Sequence, residues 1–230
     1  MPAPTLTLEQ FTVCLKAGDV HLQADVSVPS HATGLVLFAH GSGSGRFSSR
    51  NRHVAHIFHE GGIGTVLADL LTEREEAVDA QTARLRFDIR LLGDRVVAIT
   101  DWIAGQQQLA YLPLGYYGAS TGAAAALKAA AVRASSVGAI VSRGGRPDLA
   151  GPALSRVIAP CLFIVGGLDL EVLRLNREAM EELPVDTRRR LELVPGATHL
   201  FEEPGALDTV ARLARDWFQR HLHSRSETLN

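Results

Sequence analysis

The segment Gly118-Ala119-Ser120-Thr121-Gly122 leaves this chain little conformational freedom. It stands between a continuous apolar run, Leu112 to Tyr117, and an alanine-rich stretch of high helix propensity, Thr121 to Ala134. When a strand turns directly into a helix through G-x-S-x-G, the two elements pass very close together. The positions two before and two after the serine must then be very small. Gly118 and Gly122 meet that demand, and Ala123 to Ala126 continue it. Such a turn presents the serine hydroxyl at the C-terminal edge of a sheet, above a helix N-terminus whose dipole favours negative charge. The segment predicts a strand–turn–helix unit with Ser120 as candidate nucleophile.

The rest of the chain fits around that unit. Phe11, Val13 and Leu15 share one face, as do Leu22, Ala24, Val26 and Val28, with Ala17-Gly18-Asp19 between them. This alternation predicts an antiparallel hairpin. Continuous apolar runs follow at Leu35–Phe38, Thr65–Ala68, Gly138–Val141 and Leu162–Val165, the pattern of strands covered on both faces. Leu191–Val194 is a weaker last strand. Between them lie helical stripes: Leu85, Ile89, Leu92, Val96, Ile99 and Ile103; Val172, Leu175, Ala179 and Leu183; Leu207, Val210, Ala214 and Trp217. Alternating strands and helices after a hairpin predict an α/β fold with a mostly parallel central sheet and helices on both faces. Residues 1–230 read as a single domain, with a loose tail at Ser224–Asn230.

Composition narrows the function. The chain has 230 residues, of which 46% are hydrophobic and 21% charged, with a net charge of −2. This is the balance of a globular protein and not that of an electrostatically led nucleic-acid binder. Two cysteines, Cys14 and Cys161, form neither a CxxC pair nor a disulfide framework. No apolar stretch is long enough for a membrane span, and the first residues carry no secretory signature. The sequence therefore predicts a cytoplasmic protein. A homodimer is left open.

A nucleophilic serine needs a base, and the base an orienting carboxylate. The strand Cys161–Val165 runs into Gly166-Gly167-Leu168-Asp169, and the last strand into Pro195-Gly196-Ala197-Thr198-His199. Ser120, Asp169 and His199 thus stand in the order this turn chemistry uses, each just after a strand. Asp169 would serve equally as the N-cap of the next helix, and His199 as a surface histidine. Acyl chemistry also needs donors for an oxyanion: the N–H after the nucleophile, here Thr121, and one from the loop after the first parallel strand. That loop is His40-Gly41-Ser42-Gly43-Ser44-Gly45-Arg46, and Ser42 is the candidate. Its glycines suggest phosphate binding too, but neither G-x-G-x-x-G nor a P-loop Lys-Ser/Thr pair is present.

Taken together, Phe38-Ala39-His40-Gly41-Ser42-Gly43, the Ser120 turn, Gly167-Leu168-Asp169 and Gly196-Ala197-Thr198-His199 resemble the dienelactone-hydrolase-like group of α/β-hydrolases. The resemblance implies the α/β-hydrolase fold, a Ser120–His199–Asp169 triad and hydrolysis of a small ester or lactone, with no metal and no cofactor. Dienelactone hydrolases proper use a cysteine nucleophile and an acidic residue in the oxyanion loop. Here those places hold Ser120 and Gly41, which favours a general serine esterase. A binding module on the same fold, an acyltransferase and a peptidase are the other readings.

Arg143, in Arg143-Gly144-Gly145-Arg146 after a strand, is the candidate contact for an anionic substrate group. His53, His56 and His59 recur every third residue, a helix-face pattern without i, i+4 metal-ligand spacing. Arg188-Arg189-Arg190 reads as a solvated turn. Between Arg143 and Pro160, glycines and prolines leave room for one short helix near Ala153–Ile158, so no cap domain is expected and the cleft should be shallow.

Overall fold

Strand alternation at the start of the chain forms the hairpin β1 (Leu8–Ala17) and β2 (Val20–Pro29), in a register that pairs Val13 with Ala24 and Leu15 with Leu22. Gly18 makes the turn at a φ of +65°, open to glycine without strain. The computed structural model describes residues 7–222, so the tail at Ser224–Asn230 lies outside the described residues. The apolar runs become β3 (Gly34–Ala39), β4 (Ile63–Ala68), β5 (Leu114–Ala119), β6 (Val137–Arg143), β7 (Cys161–Gly166) and β8 (Arg189–Val194). They form one sheet in the order β1-β2-β4-β3-β5-β6-β7-β8. β2 joins β4 antiparallel, and every pairing beyond β4 is parallel.

Helices cover both faces. The helices α3 (Ile89–Gly105), α4 (Thr121–Val132) and α5 (Leu170–Glu181) pack on one side, and α1 (Ser49–Glu60) and α6 (Ala206–His221) on the other. Under α1 and α6 lie Phe38, Phe58 and Tyr117, with the Phe38 and Tyr117 ring centres 4.8 Å apart. β3, β4, β5 and β7 are buried along their whole length, as their unbroken apolar runs demand.

Several boundaries differ from the sequence expectation. β5 starts at Leu114 and continues to Ala119, and β6 continues to Arg143, because the parallel ladder still pairs Ala119 with Arg143. Leu85 falls outside α3. Asp88 caps that helix by accepting from the Leu91 N–H at 2.9 Å, which leaves Leu85 in a separate 3-10 turn. Arg189 and Arg190 are strand residues, paired with Cys161 and Leu162, where a turn was expected. The connection after β6 holds a 3-10 stretch, Pro147–Arg156, broken at Gly151, and no cap domain. The helix α2 (Glu73–Thr82) was unforeseen, since it has no apolar stripe and buries only Asp79. Its signal was the capping box: Thr72 accepts from the Glu75 N–H, and Glu75 accepts from the Thr72 N–H. No helix among the described residues is long and apolar enough to cross a membrane.

Candidate active site

β5 delivers Ser120 in a conformation few side chains adopt, φ +51° and ψ −123°. A left-handed non-glycine residue costs about 1–3 kcal/mol and persists only where its surroundings hold it. Here the Ser120 N–H donates to the Arg143 carbonyl at 3.3 Å, and the Ser120 carbonyl accepts from the Arg146 N–H at 3.0 Å. The flanking glycines are obligatory. A Cβ on Gly118 would lie 2.4 Å from the Ala123 Cα, and one on Gly122 2.0 Å from the Ala39 carbonyl oxygen.

Asp169 and His199 meet at the same edge. Asp169 stands at the N-cap position of α5, but its side chain makes no capping bond. Its Oδ2 instead lies 2.7 Å from His199 Nδ1. That geometry places the proton on Nδ1, donated to the carboxylate, and leaves Nε2 free to accept one. The loop carrying His199 is held at the two residues before it. The Leu168 N–H donates to the Ala197 carbonyl at 3.0 Å, and the Thr198 N–H to Glu203 Oε1 at 3.0 Å. Among the described residues the Ser120 hydroxyl makes no hydrogen bond to His199. Nucleophile–base contacts of this kind often tighten only with substrate.

The loop after β3 lies against the elbow. A Cβ on Gly41 would sit 3.0 Å from Ser120 Cβ, and Ser42 Oγ is 3.5 Å from Thr121 Oγ1. Thr121 is buried at the N-terminus of α4, and Ser42 is exposed above it. Two supports of this loop were not assigned from the sequence. His40 is buried with both ring nitrogens engaged: Nδ1 faces the Gly41 carbonyl at 3.0 Å, and Nε2 accepts from the Leu70 N–H at 2.8 Å. Burial lowers its pKa and keeps it neutral, against a smaller opposite pull from the Gly41 bond. Asp69, just after β4, accepts from the Arg46 N–H at 2.7 Å and pairs with the Arg46 guanidinium. The only sequence hint for either was its position at the end of a buried strand.

Beside this loop opens a cleft of about 1030 Å³, walled by the loop, Thr121, Asp69 and α2; it adjoins the elbow through Thr121, while Ser120, Asp169 and His199 are not among its lining residues. The polar segment carrying α2 supplies a wall of this cleft that the sequence did not announce. Arg46, Arg74, Arg86, Glu73, Glu76 and Asp79 contribute charge of both signs. Arg86 is bound to Asp79, Nε to Oδ2 at 2.7 Å. Burial, aided by Asp69 and Glu73, pushes the Glu76 carboxyl up. Arg143 does not line this cleft: it is 7% exposed, with its guanidinium beside the Tyr117 hydroxyl and 5.9 Å from the Phe201 ring centre. The three histidines of α1 each find their own partner. His53 lies 2.5 Å from Asp208, His56 lies 3.4 Å from Glu60, and buried His59 lies 2.8 Å from Thr65.

The chain is 51% identical to a dienelactone hydrolase from Anabaena variabilis, with a TM-score of 0.90 over 94% of this chain and 99% of that one. A dienelactone hydrolase-like promiscuous phosphotriesterase from metagenomic libraries shares the fold at 17% identity, TM-score 0.75, over 94% of this chain and 99% of that one. Two Mycobacterium tuberculosis proteins named "Putative phosphoribosyl transferase" are 53% identical over 219 residues, which is 95% of this chain and 48% of theirs. The chain thus spans about half the length of those curated relatives. No family model matches it.

Proposed function

This chain belongs to the dienelactone-hydrolase-like α/β-hydrolases, and from that premise we propose that it is a serine hydrolase of small, polar esters or lactones. The observation that carries the reading is the pairing of a strained Ser120 elbow with an Asp169–His199 couple at 2.7 Å on the same sheet edge. In this mechanism His199 Nε2 takes the Ser120 proton as Oγ attacks the acyl carbonyl. The N–H groups of Thr121 and Ser42 receive the oxyanion, preorganised by the packing of the His40–Arg46 loop on the elbow. Asp169 holds the tautomer and stabilises the imidazolium. The proton passes to the leaving oxygen, and water attacks the acyl-enzyme by the same steps. No step calls on a metal or cofactor.

The substrate class follows from the cleft. Its walls bear arginines and carboxylates that solvate polar groups, beside the apolar Leu22, Phe47, Leu71 and Leu92, so a small substrate with both a polar and an apolar part suits them. About half of the mycobacterial proteins lies outside the matched segment, so their name is not carried over to this chain. The test is labelling with a fluorophosphonate, followed by a panel of esters and lactones graded in length and polarity. Labelling that survives Ser120→Ala refutes the nucleophile, and preference for long acyl chains refutes the substrate class.

A further inference from the structure

We propose that the segment Ser142-Arg143-Gly144-Gly145-Arg146 is a positioning bracket that sets Ser120 and His199 relative to one another, with Gly144 as its critical residue. The proposal rests on the hydrolase reading above and names what holds that site together. Both backbone groups of the strained serine are bonded to this segment, the N–H to the Arg143 carbonyl and the carbonyl to the Arg146 N–H. One residue further on, Gly144 faces the base. A Cβ there would lie 3.0 Å from the His199 carbonyl oxygen, 3.6 Å from His199 Cε1 and 3.3 Å from Phe201 Cε2. Gly144 and Phe201 are both left-handed, at φ +50° and +56°, so two bends that side chains rarely adopt are packed against each other.

The bracket is itself anchored. The Gly144 N–H donates to the Ile164 carbonyl at 2.8 Å, fixing it to β7. Gly145 admits no side chain, since a Cβ would lie 2.0 Å from Ser142 Oγ and 2.6 Å from Ala123 Cβ. Its carbonyl accepts from Asn176 Nδ2 at 2.9 Å. Asn176 has 0% exposure and lies on α5, the helix that begins beside Asp169. Arg143 lies against Phe201 from below. Nucleophile, base loop and the helix after the carboxylate therefore all meet on five residues. A misplacement of about 1 Å between reacting groups costs on the order of 10²-fold in rate.

Gly144→Ala tests the idea, with Gly151→Ala as its control. Gly151 is also left-handed, φ +52°, but a Cβ there meets nothing within 4 Å. Both variants carry backbone strain, and only the first touches His199. The expected result is a roughly 100-fold fall in kcat for Gly144→Ala at little-changed KM, and wild-type kcat for Gly151→Ala. The His199 Nδ1 proton resonance should shift in Gly144→Ala alone. Should Gly144→Ala fail to fold, Asn176→Ala removes the support of Gly145 without new strain, and roughly a tenfold kcat loss with the same resonance shift is expected. Wild-type kcat and an unmoved resonance in Gly144→Ala or Asn176→Ala overturn the bracket, as does an equal kcat loss in Gly151→Ala. If the wild type hydrolyses no ester, the hydrolase reading fails, and the resonance still decides the bracket.

Discussion

Asp169→Asn separates the two roles this residue offers. Asparagine caps a helix as well as aspartate does, so a residue serving only as the N-cap of α5 would lose nothing on this change. In the structure the side chain makes no capping bond and lies 2.7 Å from His199 Nδ1. An asparagine amide in the same rotamer donates where the carboxylate accepted. Nδ1 must then become the acceptor, the proton moves to Nε2, and the base faces Ser120 in its protonated tautomer. A wrong tautomer of this kind costs on the order of 10⁴ in kcat. That is about 5.4 kcal/mol of barrier at about 1.36 kcal/mol per tenfold. The fold should be unaffected beyond about 0.5 kcal/mol, the usual range for a substitution that breaks no buried contact. Initial rates on a short p-nitrophenyl ester, with a thermal melt alongside, measure both. A variant within tenfold of the wild-type rate would refute the orienting role and leave Asp169 a cap.

Other outcomes follow from the same geometry. Ser120→Ala should abolish esterase activity by on the order of 10⁴–10⁶ while the protein still melts cooperatively, and near-wild-type turnover would reject the serine mechanism. kcat/KM should rise with pH through a single ionisation that disappears in His199→Gln, and an unchanged profile in that variant would identify a different base. Arg143→Ala separates packing from anion recognition: equal losses on neutral and carboxylate-bearing esters identify a buried support, whereas a loss confined to the anionic ones identifies a substrate contact. Burial lowers the His59 pKa to about 4, with a smaller push from His56, so the unfolded chain binds more protons than the folded one between that value and the ordinary 6.5. The stability His59 contributes is therefore present above pH 6.5 and lost as pH falls towards 4. A stability-versus-pH curve for His59→Gln as steep as that of the wild type across this window would contradict it.

The apolar code was legible because burial on both faces leaves a strand no choice of residue. β3, β4, β5 and β7 are continuous runs, and Gly118 and Gly122 announce an approach so close that a Cβ would come within 2.4 and 2.0 Å of the neighbouring backbone. Ser120 and Asp169 stand out for a related reason, since each follows closely on such a strand, whereas His199 follows β8, which is mostly half-buried or exposed. What the sequence concealed is polar. α2 buries one aspartate and shows no stripe, so the wall it gives the cleft of about 1030 Å³ has no hydrophobic signature. Arg143 reads as a loop cation until the ladder with Ala119 draws it into β6 and under Phe201.

The strained positions show where physical economy gives way to chemistry. Among the described residues the left-handed non-glycines are Ala83, Ser120 and Phe201. Ala83 ends α2 in an ordinary C-terminal bend. The other two flank the reacting groups: Ser120 is the candidate nucleophile, and Phe201 follows the candidate base by two residues. Each costs about 1–3 kcal/mol, and each is packed closely against glycine. For Ser120 these are Gly118 and Gly122, and for Phe201 it is Gly144. A fold selected for stability alone would relax the Ser120 bend by substituting glycine there, whereas at Phe201 the buried ring, worth about 3–5 kcal/mol, outweighs the strain. Retaining a serine at the first is consistent with a site in which the hydroxyl must be held out, and the packed ring at the second holds the backbone two residues beyond His199. Substituting glycine at Phe201 should relieve the bend but lower stability by about 3–5 kcal/mol through the lost ring, and slow turnover at temperatures where the variant stays folded. Higher activity in Phe201→Gly would show that the strain has no part in placing His199.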